Sequence, residues 1–218
     1  MAPKIKLVYF PLRGRAELIR LVLAAGETDY EEDIIEFQDW PDRKADMMFE
    51  SLPMLTWDGE EVGQSLTIAR FVAKKLDLAG RNDLEQARAD AIVEHTTDLF
   101  EKYYGIRYCE DEIRKQANIE AFKDKHMVSF LQVANKLLER QGGEYFTGHG
   151  MSYGDLAVYM GLQFLNNTEE LQSAGMGDIQ KDILAKMQAF PKLLSLIPRV
   201  ENYGRVAEYL KNRPEYPH

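Results

Sequence analysis

Residues 4–10 read KIKLVYF, and residues 14–26 read GRAELIRLVLAAG. The first stretch is β-branched and aromatic with partial alternation, the pattern of a strand. The second places Leu18, Leu21, Val22 and Ala25 on one helical face and ends on Gly26, a residue suited to stopping a helix. DYEEDIIE at 29–36 reads as a second strand, so the chain opens with a βαβ unit whose strands run parallel.

The same reading extends through the next forty residues. WPDRKADMM at 40–48 suits a short helix entered through Pro41. MLTWDGEEVG at 54–63 holds two short apolar pieces around Asp58-Gly59, the strongest short-range hairpin signal. LTIARFVAKKL follows Ser65 and places Leu66, Ala69, Val72, Ala73 and Leu76 on one face, with Ser65 as the expected N-cap. The order is βαβαββα over residues 1–77. A polar connection, LAGRND at 78–83, then leads into a stretch with helical periodicity and no convincing strand, 84–218. Within it, 84–104 and 111–140 read as long helices, and Gly142-Gly143 breaks the second. Ser152 and Asp155 form a capping box ahead of another helix. The tail at 191–212 reads as one or two helices, kinked or split at Pro198. The fold class is therefore α/β followed by all-α.

Composition narrows the function. The 218 residues are 45% hydrophobic and 29% charged, enough for a substantial core. The net charge of -9 opposes non-specific contact with nucleic acid or an anionic membrane surface. A single cysteine, Cys109, rules out an intramolecular disulfide and suits a reducing compartment. The N-terminus lacks the pattern of a signal peptide, and no run approaches the roughly 20 apolar residues of a membrane helix. A cytoplasmic protein is expected. His95, His126, His149 and His218 are scattered, so no metal site is expected.

Five stretches carry a family resemblance: LVYFPLRGRAELIR at 7–20, QDWPDRKADM at 38–47, ESLPMLTWDG at 50–59, QSLTIARFVAKKLDLAG at 64–80 and GHGMSYGDL at 148–156. In this order and at these spacings the chain resembles the sigma class of cytosolic glutathione transferases. The resemblance covers nearly the whole chain. It implies a thioredoxin-like domain followed by a helical one, a homodimer, and glutathione as co-substrate.

It also implies roles for particular residues. By position alone Tyr9 reads as a strand tyrosine packed for its ring; the resemblance makes it the residue that activates the glutathione thiol. A free thiol titrates at about 8.5, and only the thiolate is a strong nucleophile. A phenol suits the task because it stays protonated at neutral pH and can donate to the sulfur. Arg15 is implied to add positive potential at the sulfur. Pro53, in Leu52-Pro53, matches a proline that is cis in this fold and lets the Leu52 backbone pair with the cysteinyl part of glutathione. Gln64 and Ser65 are implied to hold the γ-glutamyl carboxylate, which a helix N-terminus favours on physical grounds as well. Trp40 and Lys44, one helical turn apart, are implied to bind the glycyl carboxylate. Asp98 matches an aspartate that reaches the γ-glutamyl amine from the neighbouring subunit. Phe49 suits either insertion into a partner subunit or packing within its own domain. Phe10, Gly14, Phe100 and Tyr104 are candidates for an apolar electrophile site.

The sigma class also contains prostaglandin D isomerases and the lens S-crystallins of cephalopods. The isomerases carry a tryptophan near the position of Gly105 and an acidic cluster where this chain has Glu94, Thr97 and Asp98. Both departures favour general conjugation. S-crystallins erode the active site, whereas Tyr9, Arg15, Trp40, Lys44, Gln64 and Ser65 all match here. The stretch 166–190 is longer than is usual in the class and has no assigned role.

Overall fold

The computed structural model describes residues 2–216. The chain forms two compact units, one comprising the chain up to Ala79 together with the segment from Glu201 onward, the other Gly80–Val200.

The first unit contains a four-stranded sheet of β1 (Ile5–Tyr9), β2 (Glu31–Ile34), β3 (Met54–Trp57) and β4 (Glu60–Gly63), in the order β2-β1-β3-β4. β1 pairs with β2 in parallel and with β3 antiparallel, and β3 and β4 form a hairpin. The hairpin turns through Asp58 (φ 52°) and Gly59 (φ 92°), both left-handed, as a two-residue turn between twisted strands requires. Helix α1 (Glu17–Ala25) follows a 3₁₀ turn at Gly14–Ala16, α2 (Trp40–Arg43) runs into another at Lys44–Asp46, and α3 (Ser65–Lys75) packs on α1. The helix at 14–26 is thus shorter than its periodicity suggested, and the second strand is narrower than 29–36. The N-cap of α3 is Gln64, not Ser65: the Gln64 carbonyl accepts from Ile68 N–H at 2.9 Å, and Gln64 has φ 70°. The chain reverses there on leaving β4, so the helix begins at Ser65, one residue earlier than a serine cap would allow.

The second unit holds helices and no strand among its described residues. It comprises α4 (Asp83–Arg107), α5 (Glu112–Ala121), α6 (Met127–Arg140), α7 (Tyr153–Asn166), α8 (Thr168–Ser173), α9 (Gln180–Gln188), α10 (Pro191–Leu194) and α11 (Leu196–Glu201). α4 packs along α7, whose residues are almost all buried. The long helix expected over 111–140 is interrupted by a π turn at Phe122–His126, which buries Phe122. The capping box at Ser152 forms as expected. The long 166–190 stretch supplies α8 and α9.

The tail differs from expectation. It holds three short helices, the last being α12 (Val206–Asn212), and Pro198 splits none of them. Pro198 lies in the first turn of α11, where its missing N–H has no helical partner to lose. The breaks fall at Ser195 and near Gly204, which has φ 51°. α12 belongs to the first unit and packs against α1. No helix among the described residues is long and apolar enough to cross a membrane.

Candidate active site

The sheet register brings the site together. Val8 pairs with Met54, and Met54 with Gly63. One step further along, Tyr9 at the end of β1, Pro53 just before β3 and Gln64 just after β4 line the same end of the sheet. Two inter-strand spacings span about 9–10 Å, close to the length of an extended tripeptide at roughly 3.3–3.6 Å per residue.

On one side is Tyr9, buried at the end of β1. Its hydroxyl oxygen accepts a hydrogen bond from the backbone N–H of Arg15 at 2.9 Å. Gly14 makes this approach possible. Its φ is 38°, and a Cβ there would stand 2.7 Å from the Tyr9 hydroxyl. The Arg15 side chain is exposed. Phe10 lies beside Tyr9, with ring centroids 5.8 Å apart, and meets Trp40 edge-on at 5.3 Å.

In the middle, the Leu52-Pro53 bond is cis and Pro53 is buried. Leu52 and Trp40 pack on one apolar base of Val8, Ile35, Met47 and Met54. Lys44 follows one turn after Trp40, its N–H bonded to the Trp40 carbonyl, with its exposed ammonium 3.9 Å from Glu50. On the far side, Gln64 is exposed and Ser65 half-buried at the start of α3, and no side chain caps that helix. Phe49 is 55% exposed, and its ring lies against Gly63.

In the helical unit the candidates divide between two faces of α4. Phe100 and Tyr104 share one face, with rings 6.5 Å apart, and Phe100 also packs on Phe164 at 5.1 Å. Asp98 is exposed, about 200° around the helix from Phe100. It lines a cavity of about 260 Å³ with His95, Lys102, His126 and Ser129. Burial first, and then Lys102 and Lys125, lower the His126 pKa. Among the described residues no group of three or more His, Cys, Asp or Glu is placed to hold a metal ion; His218 lies outside them.

Sequence reasoning missed two features here. Phe37 is 57% exposed and stacks on Phe10 at 5.0 Å, extending the aromatic wall. Arg20 sits with its guanidinium carbon 5.8 Å from the Tyr9 ring centroid and only 3% of the residue exposed. An arginine inside an otherwise apolar helix was the available signal.

A thioredoxin-like unit whose open sheet end carries a cradled tyrosine, a cis-proline and a helix N-terminus, in one chain with an all-helical unit, defines a class of thiol-handling transferase. Known proteins agree. Residues 5–74 match the family model "Glutathione S-transferase, N-terminal domain", and residues 97–213 match "Glutathione S-transferase, C-terminal domain". The chain belongs to the glutathione transferase family. It is 34% identical to "Probable glutathione S-transferase 6" of Caenorhabditis elegans, over 97% of this chain and 98% of that one. It is 32% identical to "Hematopoietic prostaglandin D synthase" of Homo sapiens, over 98% of each. Among solved structures it resembles the Fasciola hepatica sigma class enzyme, with TM-score 0.80 and 27% identity over 99% of each chain. The family's transferases use glutathione as substrate, and this chain is a transferase of that kind.

Proposed function

We propose that the chain is a sigma-type transferase in which Tyr9 holds the glutathione thiol as thiolate for attack on hydrophobic electrophiles. The observation that carries this reading is the hydrogen bond from Arg15 N–H to the Tyr9 oxygen. An oxygen that accepts one hydrogen bond donates its own proton more strongly, because linked hydrogen bonds polarise one another. Such a donor favours the charged form of the sulfur. The thiol proton leaves to solvent, the sulfur attacks an electrophilic carbon, a C–S bond forms, and the leaving group departs with the displaced electron pair.

The rest of this sheet end supports the binding of glutathione. The uncapped start of α3, at Gln64 and Ser65, offers N–H groups to the γ-glutamyl carboxylate. Trp40 and Lys44 suit the glycyl carboxylate, and the backbone of Leu52, beside Pro53, suits the cysteinyl part. Arg15 adds positive charge, and Asp98 serves the γ-glutamyl amine of a partner subunit. This reading assigns the electrophile to Phe10 and Gly14 beside Tyr9 and to Phe100 and Tyr104 on α4. The functional domains are 1–77 and 84–218, joined by 78–83, in a cytoplasmic homodimer without a metal.

The test is conjugation of glutathione to 1-chloro-2,4-dinitrobenzene by the intact protein and by Tyr9→Phe. The expected loss is one to a few orders of magnitude, roughly 1.4–4 kcal/mol. Equal rates in the two proteins would refute the role of Tyr9. A second reading, glutathione-dependent prostaglandin isomerisation, draws on the similarity to the human synthase. Product analysis with prostaglandin H2 separates the two readings.

A further inference from the structure

Helix α1 is buried on all sides, yet it carries Glu17 and Arg20, which are 1% and 3% exposed. One buried nitrogen of Arg20, Nη2, has no hydrogen-bond partner. Unsatisfied buried donors and buried ion pairs are poor sources of stability, so packing alone does not account for this arginine.

Its other nitrogens are committed. Nε donates to Glu32 Oε1 at 2.5 Å, and Nη1 donates to the carbonyls of Leu12 at 2.9 Å and Arg13 at 3.2 Å. Those carbonyls belong to the loop that delivers Gly14 and the Arg15 N–H to the Tyr9 hydroxyl. The same Nη1 lies 3.6 Å from Glu17 Oε2. Glu17 in turn is held from the far end of the sequence. Tyr209 donates to its Oε2 at 2.8 Å, and Arg213 donates to its Oε1 at 2.6 Å. The segment entering α12 is fastened to the end of α1 by Arg205 N–H to the Ala24 carbonyl at 3.0 Å, and to the following loop by Arg205–Asp29 at 2.7 Å.

We propose that Arg20 is a positioning residue for thiol activation, and that α12, through Tyr209 and Glu17, keeps it bonded to the Leu12 and Arg13 carbonyls. The proposal rests on Tyr9 being the activating group. Nη1 has three oxygens within reach, two loop carbonyls and one carboxylate. While Tyr209 and Arg213 occupy Glu17, the carbonyls hold Nη1. Once the Tyr209 hydroxyl is removed, the released Oε2 draws Nη1 toward itself. The loop loosens, the Arg15 N–H no longer bonds well to the Tyr9 oxygen, and the tyrosine becomes a weaker donor.

The experiment titrates the thiol of bound glutathione by its thiolate ultraviolet absorbance in the full-length protein, in Tyr9→Phe, in Tyr209→Phe and in Glu17→Gln. Tyr209→Phe deletes one oxygen and keeps the ring. It is expected to raise the apparent thiol pKa by about half a unit, and so to slow conjugation about threefold below that pKa. The rate should recover at high pH, with glutathione affinity unchanged within about twofold, because the sheet end that binds the peptide is untouched. Glu17→Gln removes the charge that competes for Nη1, so it should not raise the titration. A normal titration in Tyr209→Phe, or one raised as far in Glu17→Gln, alongside a raised one in Tyr9→Phe, overturns the proposal and leaves the tyrosine mechanism standing. A normal titration in Tyr9→Phe removes both.

Discussion

Each unit of the molecule buries a carboxylate near the start of a helix, and the two carboxylates are treated in opposite ways. Glu17 begins α1 and faces cations, with Arg213 Nη1 at 2.6 Å and Arg20 Nη1 at 3.6 Å, plus the Tyr209 hydroxyl. Asp155 lies in the first turn of α7 and has neutral donors: Ser152 N–H at 2.8 Å, Ser152 Oγ at 2.5 Å and Phe146 N–H at 3.0 Å. The partners of Glu17 come from across the sequence, and those of Asp155 from within nine residues. The charged arrangement ties remote segments together; the neutral one shapes a local turn. The difference should appear as cost, pH dependence and reach.

Cost comes first. Removing one member of a buried ionic cluster leaves the others uncompensated in a poorly solvating interior. Glu17→Leu should therefore destabilise the protein by about 3–5 kcal/mol in urea unfolding. A loss below about 1 kcal/mol would mean that water or a rearranged Glu32 neutralises the arginines, and that the cluster is not what fastens α12.

The pH dependence separates the two sites more sharply. Burial outweighs the hydrogen bonds at Asp155 and raises its pKa to about 6. A carboxyl whose folded pKa lies above its unfolded value binds protons more tightly when folded. Its stabilising contribution is complete below the unfolded value of about 3.9 and is lost as the pH climbs through the folded one. Relative to Asp155→Asn, the wild type should therefore lose on the order of 2–3 kcal/mol between about pH 4 and pH 7. Urea midpoints of both proteins across that range provide the check. A wild-type advantage that grows with pH would show that the three donors, not burial, govern this carboxylate.

The same contrast explains what could be read from the chain. The βαβ start, the Asp58-Gly59 hairpin and the Ser152–Asp155 box are local, and each is written in residues a few positions apart. The helix faces were legible by periodicity, but the π turn at Phe122–His126 was not, since FKDKH holds no Gly or Pro to mark a break in the helix. Tyr9, Pro53 and Gln64 were identified individually by resemblance; their meeting at one end of the sheet depends on strand register, which periodicity alone does not specify. Ser65 as N-cap was the natural reading of a serine before an apolar run, and the left-handed Gln64 displaced it. The Arg20 network was invisible because Arg213 lies 196 positions from Glu17. Nothing in local sequence announces such a partner.

The smallest expected effect is the most discriminating. Tyr209→Phe and Ser152→Ala each delete one hydroxyl that bonds a buried carboxylate. The first should cost about 0.5–1.5 kcal/mol, as one lost hydrogen bond does, and the second about 0.5–2 kcal/mol, as a lost N-cap does. In thermal melts the two variants should look alike. They should part in the titration of bound glutathione, because Glu17 contacts an arginine that holds the Tyr9 loop, whereas the Ser152 bond closes on its own turn. A thiol titration moved equally by both variants would mean that general loosening, not the α12–Glu17–Arg20 connection, is what reaches Tyr9. A shift in Tyr209→Phe alone, at matched stability loss, assigns the effect to that connection.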